Sequence, residues 1–407
     1  MAEHRPRVLV TGVGAVTAAG IGVTPLWQAA RDGQSCIREA KFTRSGPNHI
    51  KAVAQVPDYD AKQHVERSRL PFCDRFTQLA ITAAQEAVTQ AALPRDEKLG
   101  QRTAVIMGTG VGGITSTDDL LYGEYTFKAR TPPWSVPRIM GSAAASHLSM
   151  IYGCTGLTLG VTSACASSSQ AVGLGAHFIR AGMIDRAIVG GSESTMTPMN
   201  VRVWEVLRVL TPDVCRPFSA KRNGMVLGEG AAVLVLESED MARSRRAMPL
   251  AEIAGYGTTS DALDILRPDA AGAAKAIELA LADAQLSADK VDYVNAHGTG
   301  TVANDLAECE ALQRVFSARL PEVAVSSTKP IHGHTIGAAG AIELVVTIMA
   351  LRHGIAPPTI NWLEADPAMK GLDPVANQAR KIPIRAAMSN SFAFGGINAC
   401  LVVVPAP

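Results

Sequence analysis

The stretch Leu157–Gly182 has the residue types of a reactive thiol at the start of a helix. The apolar run before Cys165 predicts a buried strand, and apolar residues after it recur at helical spacing. The partial positive charge at a helix N-terminus favours the thiolate, which is the nucleophilic form. An inert buried cysteine is the alternative, so the nucleophile hypothesis needs partners elsewhere in the chain. Small residues, which leave room for a substrate to reach the sulfur, crowd the junction at Ser163, Ala164, Ala166, Ser167 and Ser168.

Two histidines follow predicted strand ends in glycine-bearing motifs. His297 lies in NAHGTGT, and His334 lies in STKPIHGHTIGAAGA. Lys329 stands five residues before His334, and Glu343 stands nine residues after it. Each of these residues can also be an ordinary core or surface side chain. His332 and His334 form an H-x-H pair, but no carboxylate or thiolate stands at ligand spacing, so we predict no metal site.

Length and composition limit the possible functions. The chain has 407 residues and a net charge of +1, so no global field favours nucleic acid. Its seven cysteines are odd in number and form no paired CxxC, which is typical of a reducing compartment. The N-terminal apolar burst is too short for a signal peptide, and the longest apolar tract, Ala338–Leu351, is interrupted by Glu343. We predict a cytoplasmic protein with no membrane span.

A repeated unit predicts the architecture. Segments 79–113 and 273–301 each hold an alanine-rich helix, a charged turn and a strand that runs into a GTG turn. Alternating helices and strands predict an α/β fold with largely parallel sheets. We predict two duplicated halves, residues 1–250 with Cys165 and residues 251–407 with both histidines. A pseudo-twofold axis would bring the two halves together at one central site.

The motifs around these residues resemble those of one enzyme family. Cys165 lies in TSACASS, His297 and His334 lie in the motifs given above, and a FAFGG loop lies near the C-terminus. Over nearly its whole length the sequence is similar to the elongating β-ketoacyl-acyl carrier protein synthases, the ketosynthase branch of the thiolase-like superfamily. Two histidines beside the cysteine mark the elongating branch. The resemblance implies a duplicated α-β-α-β-α layered fold.

The resemblance also implies a reaction. An acyl group moves from a carrier protein to the thiol of Cys165, while backbone N–H groups at Cys165 and Phe394 stabilise the oxyanion. A malonyl unit on a carrier protein then loses CO2, and His297 and His334 donate from Nε2 to the enolate oxygen. The substrates arrive on the phosphopantetheine arm of the carrier, and the family needs no metal or organic cofactor.

Further positions match the family by residue type. The implied partners are the acyl carrier protein and a second subunit, either an identical chain or a related ketosynthase or chain-length factor. The insert Leu120–Ile139 is predicted to be a surface excursion or a subunit contact. The matching positions are the supporting charges Lys329 and Glu343, the pantetheine-binding Thr299 and Thr301, the loop aromatics Phe392 and Phe394, the acyl-tunnel residues Trp204 and Val111, and the carrier-docking cations Lys128, Arg130 and Arg208.

Other functions account for less of the sequence. A chain-length-factor-like subunit, which is not an enzyme, generally lacks the cysteine that stands here at Cys165. A cysteine hydrolase would use Cys165 and one histidine, and would leave the second histidine and the duplicated fold unexplained. The run 208–237 resembles condensing enzymes of secondary pathways, such as those for nodulation-factor or aryl-polyene lipids. We therefore predict a condensing enzyme of fatty acid, polyketide or polyene chain elongation, with a specialised role.

Overall fold

The computed structural model describes residues 6–42, 44, 46, 48–94 and 97–407. The strands are β1 (Val8–Thr17), β2 (Gly20–Ile21), β3 (Arg38–Glu39), β4 (Ala52–Val53), β5 (Thr103–Gly108), β6 (Thr158–Val161), β7 (Arg186–Glu193), β8 (Gly230–Ser238), β9 (Ala251–Ser260), β10 (Tyr293–Asn295), β11 (Ala324–Ser326), β12 (Ile355–Ala356), β13 (Arg380–Lys381), β14 (Ala387–Ala393) and β15 (Ile397–Val404).

The α-helices are α1 (Val23–Asp32), α2 (Arg75–Gln90), α3 (Ile114–Phe127), α4 (Ser135–Ile139), α5 (Ala143–Tyr152), α6 (Ser167–Arg180), α7 (Pro198–Val206), α8 (Glu239–Ser244), α9 (Ala270–Ala284), α10 (Val302–Phe316), α11 (Lys329–His332) and α12 (Ala339–His353). The 3-10 turns are Ala61–Gln63, Leu70–Phe72, Ala164–Ala166, Ala288–Lys290, Ser317–Glu322 and Ile336–Ala338.

Helix ends follow ordinary capping chemistry. The carboxylate of Asp74 accepts the N–H of Phe76 at the start of α2, and Asp269 accepts from Ala271 at the start of α9. Such side chains satisfy N–H groups that have no partner within the helix. Gly354 ends α12 in the left-handed conformation, with φ of 61°, which glycine adopts without steric cost.

The strands of the two halves repeat the same spatial order. In the described part of the chain the main sheet runs β11-β10-β14-β15-β9-β1-β8-β7-β5-β6. β5 pairs in parallel with β6 and β7, as β10 does with β11 and β14. The duplicated α/β fold is therefore confirmed. The prediction of a largely parallel sheet was wrong, because β8 and β15 run back beside the strands that precede them and pair with them antiparallel.

The two duplicated helices form a central layer. α6 packs against β5 and β7, α12 packs against β14 and β8, and the two helices contact each other. α2 and α5 cover the outer face of the first half, and α9 packs on β9 and β15 of the second. This arrangement brings the N-terminal ends of α6 and α12 to the same place, and Cys165 and His334 stand just before those ends.

Small residues after Cys165 allow this close packing. Ser167, Ser168 and Ser169 are fully buried. A Cβ atom at Gly108 would lie 2.5 Å from the backbone of Ser167, and the N–H of Ala341 donates to Ser168 Oγ at 2.9 Å. The prediction that these small residues leave room for substrate was therefore wrong for Ser167 and Ser168, which pack α6 against its neighbours.

The strand before Cys165 lies at an edge of the sheet. β6 pairs with β5 alone among the described strands, and its residues are half-buried or exposed. The prediction of a buried strand was wrong, because no described strand pairs with its outer edge.

Among the described residues, one helical segment is long and apolar enough to cross a membrane. This segment, Ile336–His353, has a mean hydropathy of 1.4 and is 83% buried inside the molecule. It includes α12, whose Glu343 contacts Lys329 in the interior. The segment therefore has the position of a core helix between the two halves.

Candidate active site

A tight turn holds Cys165 between β6 and α6. Ala164 adopts a positive φ of 48°, which costs a non-glycine residue conformational energy. Ser167 Oγ accepts from the N–H of Ser163 at 2.9 Å and donates to the carbonyl of Ala164 at 2.7 Å, so it closes the turn. Cys165 is 5% exposed, and its sulfur faces a cavity rather than bulk solvent.

The second half presents its two histidines from loops at strand ends. His297 follows β10, and the carboxylate of Glu308 accepts its N–H at 2.8 Å and that of Gly298 at 2.7 Å. Asp305 accepts the N–H groups of Gly300 and Phe218. These two carboxylates fix the path of the HGTGT loop from behind.

The thiol and the two imidazoles lie together. Cys165 Sγ is 3.1 Å from Nε2 of His334. The rings of His297 and His334 are 5.3 Å apart between centroids and almost perpendicular, at 82°. All three side chains line one cavity of about 170 Å³. The pseudo-twofold juxtaposition predicted for the two halves is therefore present in the structure.

Hydrogen bonds determine which nitrogen of each ring carries the hydrogen. The ammonium of Lys329, which can only donate, is 3.3 Å from Nδ1 of His297. The backbone N–H of Ile336 donates to Nδ1 of His334 at 3.3 Å. Because both Nδ1 atoms accept, the neutral rings carry hydrogen on Nε2. Burial and the charge of Lys329 hold the pKa of both histidines well below the usual value, so both are neutral donors at pH 7.

An ion pair supports the histidines. Lys329 Nζ is 2.5 Å from Glu343 Oε1 and also donates to the carbonyl of His297. Burial raises the pKa of Glu343 to about 7, although the ammonium of Lys329 opposes the rise. Lys329 and Glu343, which the sequence predicted as supporting charges, therefore contact each other beside His297.

The thiol is protonated in the resting site. Burial raises the pKa of Cys165 to about 12, against the lowering effect of Lys329. A helix N-terminus contributes only about 0.3–1 kcal/mol, whereas desolvation shifts a fully buried group by up to about 3–5 pKa units. Desolvation therefore outweighs the preference for the thiolate that was predicted from the helix N-terminus. The Nε2–H of His334 lies 3.1 Å from the sulfur of this neutral thiol.

The hydrogen positions also bear on metal binding. The ligand atoms of Cys165, His297 and His334 lie within 4.8 Å of one another. Both Nε2 atoms carry hydrogen, however, so neither offers a lone pair to a metal ion. His332 bonds Thr328 Oγ1 and the carbonyl of Gly333 and does not turn toward His334.

Predicted substrate-binding residues line the same cavity. Thr299 Oγ1 and Thr301 Oγ1 are 2.9 Å apart at its wall, and Phe392 lies beside His297. Trp204 stacks on Phe394, with ring centroids 5.9 Å apart and an angle of 17°.

Val111 lies outside this cavity. It is 48% exposed, in the turn after β5. The two predicted tunnel residues therefore do not line the same cavity, since Trp204 lines it with Phe394 and Val111 does not.

The predicted docking cations occupy two places. Arg208 is exposed beside Leu207 and Val209, which line the cavity mouth. Lys128 and Arg130 are exposed at and just beyond the C-terminal end of α3, and neither lines the cavity.

Sequence reasoning missed one buried acid near the site. Glu193 ends β7, is fully buried and bonds turns from both halves. The available signal was an acidic residue at the end of the otherwise uncharged run AIVGGSE. Unpaired buried acids are rare in proteins, which makes such a position informative.

A thiol beside two neutral imidazole donors, at the end of a cavity in a duplicated α/β fold, defines an enzyme of acyl transfer. Profiles of the β-ketoacyl synthase N-terminal and C-terminal domains match residues 5–242 and 250–363. Nodulation protein E of Rhizobium leguminosarum bv. trifolii is 42% identical over 402 residues, which cover 97% of this chain and 98% of that protein. The 3-oxoacyl-[acyl-carrier-protein] synthase 2 of Staphylococcus aureus (strain COL) is 35% identical over 409 residues, or 98% of each chain.

Solved structures agree with these relatives. The structure of the ishigamide ketosynthase/chain length factor superposes with a TM-score of 0.95 at 33% identity, over 99% of this chain and 100% of that one. The chain therefore belongs to the β-ketoacyl synthase family, whose members are condensing acyltransferases. The family resemblance expected from the motifs is confirmed.

Proposed function

We propose that the chain catalyses decarboxylative condensation of an acyl group on Cys165 with a malonyl unit on a carrier protein. The observation that supports it most is the Cys165 thiol 3.1 Å from Nε2 of His334, with His297 beside it and both Nε2–H groups at one cavity. No other proposed reaction uses all three side chains. The reaction needs neither metal nor organic cofactor.

The first half-reaction loads the enzyme. The sulfur of Cys165 attacks the acyl carbonyl of the carrier thioester, and the pantetheine thiol leaves with the proton of the cysteine. The backbone N–H groups of Cys165 and Phe394 are the proposed donors to the oxyanion. Thr299 and Thr301, on the cavity wall, are the proposed partners of the pantetheine arm.

The second half-reaction forms the new carbon–carbon bond. The malonyl carboxylate leaves as CO2, and its bonding electrons form an enolate whose oxygen accepts from Nε2–H of His297 and His334. The enolate carbon attacks the acyl-Cys165 carbonyl and expels the cysteine thiolate, which takes a proton from solvent. Lys329 and Glu343 are proposed to hold His297 as an Nε2 donor through the contact at Nδ1.

Intact mass spectrometry with acyl-carrier thioesters of graded length tests this proposal. We expect a stoichiometric acyl mass gain and, on adding malonyl-carrier protein, release of CO2 and of the β-ketoacyl product. Acyl-pantetheine, which lacks the protein, should load more slowly. That preference should fall as salt rises if Lys128, Arg130 and Arg208 dock the carrier. A protein that releases free acid would instead support the cysteine hydrolase.

Trp204 is proposed to control which acyl groups enter. The indole and Phe394 form a stacked wall beside Cys165, and close-packed walls do not stretch around a longer chain. Each added methylene gains about 0.8 kcal/mol when buried, but only where space exists. We expect Trp204→Ala to shift the acylation profile toward longer or bulkier chains and to slow short ones. Trp362→Ala, outside the cavity, is the control, and an unchanged profile in Trp204→Ala would refute the specificity role.

The chain is proposed to act as a dimer, either with itself or with a related ketosynthase or chain-length factor. An uncovered edge strand, β6, and exposed apolar side chains on α3 and α4 support this, among them Tyr125 and Val136. The name of the ishigamide ketosynthase/chain length factor is consistent with a paired assembly. Light scattering at micromolar concentration should give twice the mass of the 42.7 kDa chain. A monomer under those conditions would contradict pairing of the chain with itself, and a chain that also stays monomeric when mixed with a related chain-length factor would contradict the dimer.

The two halves of the chain carry different catalytic residues. We divide the chain into a thiol-bearing half, residues 1–250, and a histidine-bearing half, residues 251–407, which is consistent with the two domain profiles. A cytoplasmic location and a specialised secondary pathway are proposed, the latter supported by the 42% identity to nodulation protein E. The chain-length-factor alternative is disfavoured because Cys165 is present.

A further inference from the structure

Glu193 is a buried carboxylate held by donors from two neighbouring turns. Its Oε2 accepts the N–H of Gly110 at 2.5 Å and that of Gly337 at 3.0 Å, and Oε1 accepts from Thr109 Oγ1 at 3.0 Å. The N–H of Val111 also donates to it. Within the described residues no lysine or arginine side chain forms an ion pair with it. Burial raises the pKa of Glu193 to about 7 in spite of these donors.

The donors belong to both halves of the fold. Thr109, Gly110 and Val111 form the turn after β5, whereas Gly337 lies in the turn Ile336–Ala338 before α12. The two turns are in contact, because a Cβ atom at Gly110 would lie 2.8 Å from Cγ2 of Ile336. Glu193 is the acceptor that both turns share.

Both turns lead to reacting groups. The carbonyl of Thr109 lies 3.2 Å from Ser167 Oγ, whose one hydrogen it shares with the carbonyl of Ala164 in the turn that holds Cys165. On the other side, Gly337 follows Ile336, whose N–H donates to Nδ1 of His334. That donation keeps the hydrogen of His334 on Nε2, facing the thiol.

We infer that Glu193 is a positioning residue that keeps His334 as an Nε2–H donor, by anchoring the Ile336–Ala338 turn to the turn after β5. The inference rests on the proposed function of His334. Glu193 does not touch the cavity, so it acts through Ile336 and not on the substrate.

Glu193→Gln tests this inference while keeping the shape of the side chain. The neutral amide oxygen of glutamine is a weaker acceptor than a carboxylate. Its amide nitrogen, which can only donate, would face groups that also donate. We expect Cys165 acylation within twofold of wild type and malonyl decarboxylation reduced at least tenfold. In protein carrying ¹⁵N-histidine, the Nδ1–H tautomer should appear at His334 and not at His297, which Lys329 holds.

Glu237→Gln is the matched control. Glu237 is also a fully buried carboxylate, on β8, and it bonds Thr11, Arg186 and Arg245 away from the cavity. Its variant should keep the wild-type ratio of decarboxylation to acylation even where stability falls. A folded Glu193→Gln protein that kept the wild-type ratio of decarboxylation to acylation, with His334 only in the Nε2–H tautomer, would overturn the inference.

Three further outcomes separate failure of the positioning role from failure of the proposed function. If Glu193→Gln does not fold, Thr109→Val removes a single donor to the carboxylate, and an unchanged ratio in that variant would overturn the inference. If wild-type protein neither acylates nor decarboxylates, the proposed function fails. If wild type is active and His334→Ala is impaired, a normal Glu193→Gln refutes the positioning role alone.

Discussion

Replacing Cys165 with alanine is expected to abolish acyl transfer completely. The other six cysteines are buried and none lines the cavity, so no second thiol is placed to accept the acyl group. Intact mass spectrometry should therefore show no mass gain with any acyl-carrier thioester. Decarboxylation of malonyl-carrier protein should persist in this variant, because His297 and His334 remain.

A matched cysteine variant makes this expectation specific. Cys309 is buried in α10 and lies outside the cavity. Cys309→Ala should load acyl groups at the wild-type level per folded molecule. An undiminished mass gain in Cys165→Ala would show that the nucleophile has been assigned to the wrong residue.

Replacing either His297 or His334 with alanine is expected to remove most malonyl decarboxylation and leave Cys165 acylation. Loss of one preorganised donor to a developing oxyanion costs about 3 kcal/mol, or roughly a hundredfold in rate. Neutral Nε2–H donors are in place before the reaction, because the pKa of each histidine is held well below its usual value. Stopped-flow or radiometric CO2 release measures this step, and mass spectrometry measures the acylation.

Two controls separate this role from others. His332→Ala removes a buried histidine that bonds Thr328 and does not line the cavity. The decarboxylation rate per folded enzyme should therefore equal that of wild type. A chelator should leave wild-type activity unchanged, and a loss would favour metal binding at the Cys165, His297 and His334 cluster. If either histidine variant condensed at the wild-type rate, that histidine would be structural.

The site residues could be predicted from the sequence because each of them lies in a short motif whose neighbouring residues suit its chemistry. The segments around Cys165, His297 and His334 each combine a reactive side chain with glycine or small neighbours at a strand end. The repeat of helix, strand and GTG turn then predicted that the two halves meet. The structure brings these three side chains to one cavity, with Lys329 and Glu343 paired behind His297.

What the sequence could not predict depends on burial and on contacts between distant segments. The pKa of Cys165 is set by desolvation, which needs the surrounding atoms to be known. In the sequence, the small serines after Cys165 suggest space for a ligand, whereas in the structure α12 packs against them. Glu193 has no motif of its own, and its partners come from segments more than 80 residues away in either direction.

The central position of α12 has a consequence for how the chain reaches this structure. α6 leaves the ribosome early, but α12, which covers it, spans Ala339–His353 in a chain of 407 residues. Until most of the protein has been synthesised, the side of α6 that packs on α12 and the edge of β1 that pairs with β9 have no partner. Such contacts between distant segments form slowly and leave apolar surface exposed meanwhile. The first half can bury the core between α2, α5 and its own sheet without the second half, whereas the layer in which α6 packs on α12 forms only once the second half has been synthesised.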